Sequence, residues 1–172
     1  MRLIEPTEFA AYIPLIKEID FGNQEQFLVS CAQYLSIINP RRKVLLESGE
    51  PDIWEQRIAY LDDNFPLIPV GITGWYLWPP FTESRIWLGW FGIRDCFKGK
   101  GYGTILLKNT EEAIRKIFPD IQWLYVFTDS AEKFYVKSGF EYLGTATVLE
   151  CNGHLVKDST FEPEDIVLRK HL

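Results

Sequence analysis

The sequence predicts a mixed α/β fold in one domain, a central twisted sheet with helices on both faces and a helical segment ahead of the core strands. Three observations predict it. The chain has 172 residues, 47% hydrophobic and 24% charged, ordinary globular usage in a chain long enough to bury a core without disulfide or metal staples. Up to about residue 65 the apolar residues recur mainly at helical spacing, whereas from Leu67 onward β-branched and aromatic runs take over. The order after that point is a strand pair followed by β-α-β-α-β-β, which makes a mixed sheet.

Taken in order, Leu3-Ile4 is a short strand. Thr7 caps a helical stretch through Phe9, Tyr12, Ile13, Ile16 and Ile19, with Pro14 inside it. Asn23 and Gln26 form a capping box that opens a helix with Phe27, Leu28, Cys31, Tyr34, Leu35 and Ile38 on its apolar side, closed by Asn39-Pro40. Lys43–Glu47 fits either strand or helix. Pro51 suits the first turn of another helix, running through Ile53, Trp54, Ile58 and Leu61 to Asp63. Leu67–Trp78 is a strand that ends at Pro79-Pro80, and Arg85–Arg94 is its antiparallel partner. Tyr102–Phe118 spaces Ile105, Leu106, Ala113, Ile114 and Ile117 as a helix does, and Pro119 follows. Ile121–Phe127 alternates as a strand. Ser130–Ser138 is a short helix stopped by Gly139. Phe140–Glu150 is a strand, Asn152-Gly153 a hairpin turn, and Asp165–Lys170 the last strand.

Composition excludes several classes of function. No run of about 18 apolar residues is present to span a membrane, and Met1–Pro6 lacks the apolar region of a secretory signal, so a cytoplasmic protein without a membrane partner is expected. Cys31, Cys96 and Cys151 are far apart, and His154 and His171 are the only histidines, so neither a zinc cluster nor a disulfide framework is expected. A pI near 5.0 argues against nucleic acid as a partner.

The net charge of −6 is unevenly spread. Residues 94–116 carry 6 basic and 3 acidic side chains, whereas 1–93 carry 7 and 12 and 117–172 carry 5 and 9. Pairs four apart, Glu111 with Arg115 and Glu112 with Lys116, account for the second half of this basic island as a solvated helix face. They leave Arg94, Lys98 and Lys100 over.

Lys98 and Lys100 lie within, and Arg94 just before, Lys98-Gly99-Lys100-Gly101-Tyr102-Gly103-Thr104, where glycines alternate directly after a strand and open a helix. Such a loop lets backbone approach a ligand, and free N–H groups at the helix start favour a phosphate. Taken alone, the loop also fits a ligand-free turn. A Walker A loop fails on spacing, and a dinucleotide fingerprint from Gly99 would need glycine where Thr104 stands.

The loop resembles the acetyl-CoA signature of the GNAT superfamily, the acyl-CoA-dependent N-acyltransferases, which reads Gln/Arg-x-x-Gly-x-Gly/Ala; here Lys98 takes the first position. Ile93 falls at the branched position of the preceding strand, and Leu106-Leu107 sit where the family's helix is aliphatic. Phe134-Tyr135 through Gly139-Phe140 is similar to its second landmark, a short helix ending in Tyr-x-x-x-Gly-Phe. The resemblance spans about residues 70–150. It implies one domain over 1–172: an acceptor-side helical segment (1–65), an acetyl-CoA-binding core (66–150) and a C-terminal hairpin (151–172). It further implies an acetyltransferase that uses acetyl-CoA as co-substrate, with no metal. Backbone amides of Lys98, Gly99, Lys100, Gly101, Tyr102, Gly103 and Thr104 would hold the pyrophosphate. Main chain from Phe91 to Ile93 would pair with pantetheine, and the Ile93 N–H would face the thioester carbonyl. Tyr135 would be general acid to the departing thiolate, although full donation from a tyrosine of pKa ~10 to a thiol of ~8.5 is uphill by about 2 kcal/mol.

The family's usual base, a Glu or His four or six residues before Ile93, is replaced here by Gly89 and Trp87. A lysine-like amine is only about 0.04% neutral at pH 7, a handicap near 4–5 kcal/mol. A water chain to Glu83 or Asp129, or an acceptor of lower pKa, would remove it. Thr128 stands where the family often has Asn near the cofactor. Seven aromatics between residues 75 and 91 (Trp75, Tyr76, Trp78, Phe81, Trp87, Trp90 and Phe91) must divide between the two faces of the strand pair; one face builds core, the other is open to wall the acceptor slot or stack on a cationic amine, and core filling is expected for most. The leading expectation is acetyl transfer to a primary amine of a small molecule or peptide, with a cationic acceptor favoured by the acidic remainder and a homodimer left open. The rival is a non-catalytic acyl-CoA-binding module of the same fold; a nucleotide-binding protein with an unusual loop is a third.

Overall fold

A computed structural model of the chain describes residues 1–6, 9–16, 18–19, 54–61, 66–76, 85–147 and 164–172. The helix expected over 23–39, the segment 43–47, the turn at Asn152-Gly153, and Thr7, Trp78, Phe81 and Glu83 lie outside the described residues. Seven strands form one sheet: β1 (Arg2–Ile4), β2 (Trp54–Tyr60), β3 (Pro69–Tyr76), β4 (Arg85–Ile93), β5 (Trp123–Thr128), β6 (Glu141–Thr145) and β7 (Ile166–His171). Their spatial order is β1-β2-β3-β4-β5-β7-β6. Among the described strands only β4 and β5 are parallel neighbours; the crossover helix α2 (Tyr102–Ile117) joins them. Two shorter helices are α1 (Ile13–Ile16), which continues a 3-10 turn over Phe9–Tyr12, and α3 (Glu132–Lys137). The mixed sheet with helices on both faces is the architecture the sequence predicts.

Strand alternation sorts the apolar residues into two layers. Toward α2, Trp75, Ile86, Leu88, Leu124, Val126 and Leu168 pack against Leu107 and Ile114. On the opposite face, Ile58 and Ile72 meet Tyr12, Leu15 and Ile19, while Trp87, Tyr125 and Val167 form an aromatic layer with Tyr76 and Phe127. Trp75, Ile86, Leu107 and Ile114 are essentially inaccessible, and each contributes about 1.5–3 kcal/mol by burial. The expected division of the aromatics is visible here: Trp75 builds the α2 side, and Tyr76 and Trp87 build the other.

Residues 54–60 correct the expected helix over 51–63, because they are strand β2. The three-residue step from Ile58 to Leu61 suggested helix. The ladder decides otherwise: β2 has β1 on one edge and β3 on the other, and paired edges outweigh a propensity difference of under about 1 kcal/mol per residue. Gln56 and Ile58 are fully buried, with Ala59 buried on the other side. The segment 1–65 therefore supplies two strands of the sheet and is more than a helical preface. The strand expected over 140–150 ends at Thr145, and the last strand lies between β5 and β6.

Glu111 tests the expected helix-face pairing. Its carboxylate is buried and takes its short contact from Lys170 on β7, Nζ to Oε1 at 2.6 Å, with Arg115 at 4.0 Å. Glu112 lies 4.0 Å from Lys108. Glu111 thus ties α2 to β7. Lys170→Met strands a buried carboxylate and is expected to cost about 2–3 kcal/mol, read as a lower urea midpoint with an unchanged slope.

Candidate functional site

The site begins with an irregularity in β4. Ile72 is opposite Gly92, but Gly74 is opposite Gly89, so β4 carries one extra residue between them. Trp90, at φ 44°, is the left-handed residue of this bulge. The bulge inverts the alternation: Ile86 and Leu88 face α2, and then Phe91 and Ile93 do, while Trp90 turns to the other face. Gly89 and Gly92 bracket the bulge and were the available sequence signal, since glycine inside a strand often marks one.

Beside the bulge, β4 leaves β5. Their registered pairs are Arg85–Trp123, Ile86–Leu124 and Trp87–Tyr125, with none beyond. From Leu88 to Ile93, β4 pairs only with β3 among the described strands. The Arg94 N–H donates to the Val70 carbonyl at 2.9 Å, so alternation turns the Ile93 N–H to the opposite edge, where β5 has parted from it. A wedge with an unpaired strand edge results.

The glycine loop closes the end of this wedge. Gly99 and Gly101 adopt φ +72° and +81°, and an ideal Cβ at either would touch nothing within 4 Å. Glycine is required there by conformation and not by space. Gly103 is required by space, since its Cβ would lie 3.3 Å from Phe134 Cε2 on α3. The first backbone bond of α2 is Ile105 N–H to the Gly101 carbonyl at 3.3 Å, so the N–H groups of Tyr102, Gly103 and Thr104 have no acceptor within the helix. Among the described residues no side chain caps this end. Three free donors and the positive end of a 16-residue helix suit an anion.

The basic side chains are more committed than their sequence positions suggest. Lys98 pairs with Asp95 at 2.6 Å, and Lys100 donates to the Cys96 carbonyl at 2.8 Å. Both are exposed and can exchange these contacts for a ligand's phosphates. Arg94 is engaged in a clasp with Glu18. It is structural, a correction to its place among the loop's spare cations.

Tyr135 is almost wholly buried, its ring 6.2 Å from Phe91, 5.1 Å from Phe134 and 5.2 Å from Phe140. Burial pushes its phenol well above the ordinary tyrosine range, which keeps the hydroxyl protonated. Phe91, from the bulged strand, stacks on Phe134 at 5.8 Å, so the bulge, α3 and the start of α2 form one packed unit through Phe91, Phe134 and Gly103.

The profile of the acetyltransferase (GNAT) family matches residues 28–140, more than half of the chain. The chain belongs to the GNAT family. Solved structures repeat its fold. A protein from Desulfovibrio desulfuricans assigned to the GNAT family superposes with a TM-score of 0.63 at 15% identity, covering 99% of this chain and 96% of that one. A GNAT-family acetyltransferase from Staphylococcus aureus gives 0.59 at 16% identity, with 99% and 98% covered. A Bacillus subtilis acetyltransferase solved in complex with CoA gives 0.54 at 15% identity, with 99% and 97% covered. No curated protein matches the sequence.

Within this GNAT domain, two positions named from sequence have other duties. The Thr128 hydroxyl accepts the Ala131 N–H at 2.8 Å and so shapes the entry to α3. Trp87 stacks on Phe127 at 4.3 Å, and its buried indole N–H has no hydrogen-bond partner among the described residues. An indole can donate but cannot take a proton at neutral pH. Among the described residues no group of three or more His, Cys, Asp or Glu is placed to hold a metal, and no helix is long and apolar enough to cross a membrane.

Proposed function

We propose that the protein transfers an acetyl group from acetyl-CoA to a primary amine by direct attack in a ternary complex. One observation carries the reading: the free amides at the start of α2, the unpaired edge of β4 and the Tyr135 ring converge on a single wedge. In this reading the amides of residues 98–104 hold the pyrophosphate, and the Phe91–Ile93 main chain pairs with pantetheine. The Ile93 N–H stabilises the oxyanion as the amine nitrogen bonds to the thioester carbon. The C–S bond then breaks, and the Tyr135 hydroxyl donates a hydrogen bond to the leaving thiolate. The amine proton leaves through water, since Trp87 and Gly89 offer no base. The acidic remainder of the chain favours a cationic acceptor.

A second reading has one observation in its favour: the β4 positions where the family usually has a base hold Trp87 and Gly89, neither of which titrates. A domain that holds acyl-CoA without turnover fits that. Calorimetric titration with acetyl-CoA, with ATP and NAD as controls, followed by turnover against a panel of amines, separates the readings. Acetyl-CoA binding with acetylated amine supports the transferase. Binding with no turnover across the panel supports the module, and no acetyl-CoA binding defeats both.

A further inference from the structure

The crest of the glycine loop is held only by exposed local contacts, Lys98 to Asp95 and Lys100 to the Cys96 carbonyl. Gly99 and Gly101 occupy left-handed backbone with open space on the side where a side chain would stand, so the positions of the amides depend on what anchors the two ends. One end is α2. The other is Arg94, the residue directly after β4, and its anchorage comes from the far N-terminal part of the chain.

Arg94 donates from Nε to Glu18 Oε2 at 2.9 Å, from Nη2 to Glu18 Oε1 at 2.6 Å and from Nη1 to the Pro69 carbonyl at 2.9 Å. Both carboxylate oxygens of Glu18 are thereby engaged by one planar fork, the strongest geometry available to such a pair. The same Glu18 Oε2 lies 3.4 Å from the Cys96 thiol. The bond from Arg94 holds the Glu18 carboxyl below the ordinary carboxylate range. Glu18 is itself fixed, because Leu15 and Ile19 on either side of it are buried under the sheet. From Arg94 the contact continues forward. Its guanidinium lies over the Phe97 ring at 5.9 Å, and Phe97 meets Tyr102 edge-on at 5.4 Å. Tyr102 is the first residue of α2 and carries one of the free amides.

We infer that Glu18 and Arg94 are positioning residues for the glycine loop, a clasp through which the N-terminal segment sets the affinity for acetyl-CoA. The inference rests on the reading of that loop as the acetyl-CoA site. Two packed rings transmit the clasp, so its loss displaces the amides without removing any group that touches the ligand. The acceptor-side segment and the cofactor loop are then one mechanical unit, and an acceptor that tightens residues 15–19 also tightens the loop.

The test compares wild type, Glu18→Gln, Arg94→Lys, the double variant and the charge swap Glu18→Arg/Arg94→Glu. Each single change is expected to weaken acetyl-CoA binding in calorimetry about three- to tenfold, the scale of losing one partly screened, well-oriented ion pair. The double variant is expected to be no weaker than the worse single one, and the swap to recover part of the loss. KM for acetyl-CoA rises accordingly, while kcat at saturation stays within about twofold. Amide hydrogen exchange, run without ligand, is expected to quicken over residues 95–104 in the single variants while β5 and β7 keep their protection. Wild-type protein that binds no acetyl-CoA overturns the cofactor reading, and the exchange arm still judges the clasp. Unchanged exchange over 95–104, or wild-type-like affinity in both single variants, overturns the clasp. So does a global loss of protection in the strands, which would make the pair a general stabiliser of the fold.

Discussion

Tyr135→Phe is expected to lower acetyl transfer at saturating substrates by about 10- to 100-fold, the worth of one hydrogen bond to a charge that develops in the transition state. KM for acetyl-CoA should barely move, because the ring stays and keeps its contacts with Phe91, Phe134 and Phe140. The pH dependence follows from burial. An ordinary tyrosine ionises near pH 10, and burial raises Tyr135 above that. Between pH 7 and about pH 9 the hydroxyl is therefore a permanent donor, and the rate deficit of the variant should be constant across that range. Stability moves at the alkaline end. Above about pH 10 the unfolded chain sheds the Tyr135 proton and the folded chain does not, so wild type loses stability as pH rises, a loss the phenylalanine variant lacks. Urea midpoints on either side of pH 10 measure it. A variant with full turnover at saturation would remove Tyr135 from the chemistry and leave it a packing residue.

Gly101→Val is expected to reduce acetyl-CoA affinity by about 10-fold or more while the sheet stays folded. The space beside Gly101 is open, so the penalty is conformational. A β-branched residue at φ +81° is held in left-handed backbone at a cost of about 1–2 kcal/mol or more, and the loop relaxes by reorienting the amides at the start of α2. Calorimetric titration with acetyl-CoA, alongside a thermal midpoint, checks both halves of this expectation. Unchanged affinity would mean that the loop's left-handed turn serves the chain and not a ligand. Gly103 differs in kind, because a side chain there strikes Phe134 and disturbs the joint between α2 and α3 before any question of binding arises.

Much of this molecule is legible in its sequence because the information is local. Alternation at Leu124, Val126 and Leu168, helical spacing from Ile105 to Ile117, glycines at 99, 101 and 139, and the order of the elements all act within a few residues. A single chain states them directly. The glycine loop, α2 and the Tyr135 helix were found on that basis, as was the family. What the sequence left unstated is long-range. β2 has a local pattern that suits a helix and becomes a strand because β1 and β3 hydrogen-bond to its two edges. The bulge at Trp90 exists in the register between β3 and β4, which no single strand contains. Arg94 looks like one more cation beside an anion-binding loop until Glu18, far away in sequence, takes its guanidinium. Glu111 looks like one of a row of surface charges until Lys170 meets it under cover of the sheet. The sequence by itself determined most of the elements and the glycine loop, whose backbone geometry is written into glycine positions. Only the tertiary structure decided which charges are spent inside the fold, because ion pairing and strand pairing depend on partners that the chain brings together only after it has folded.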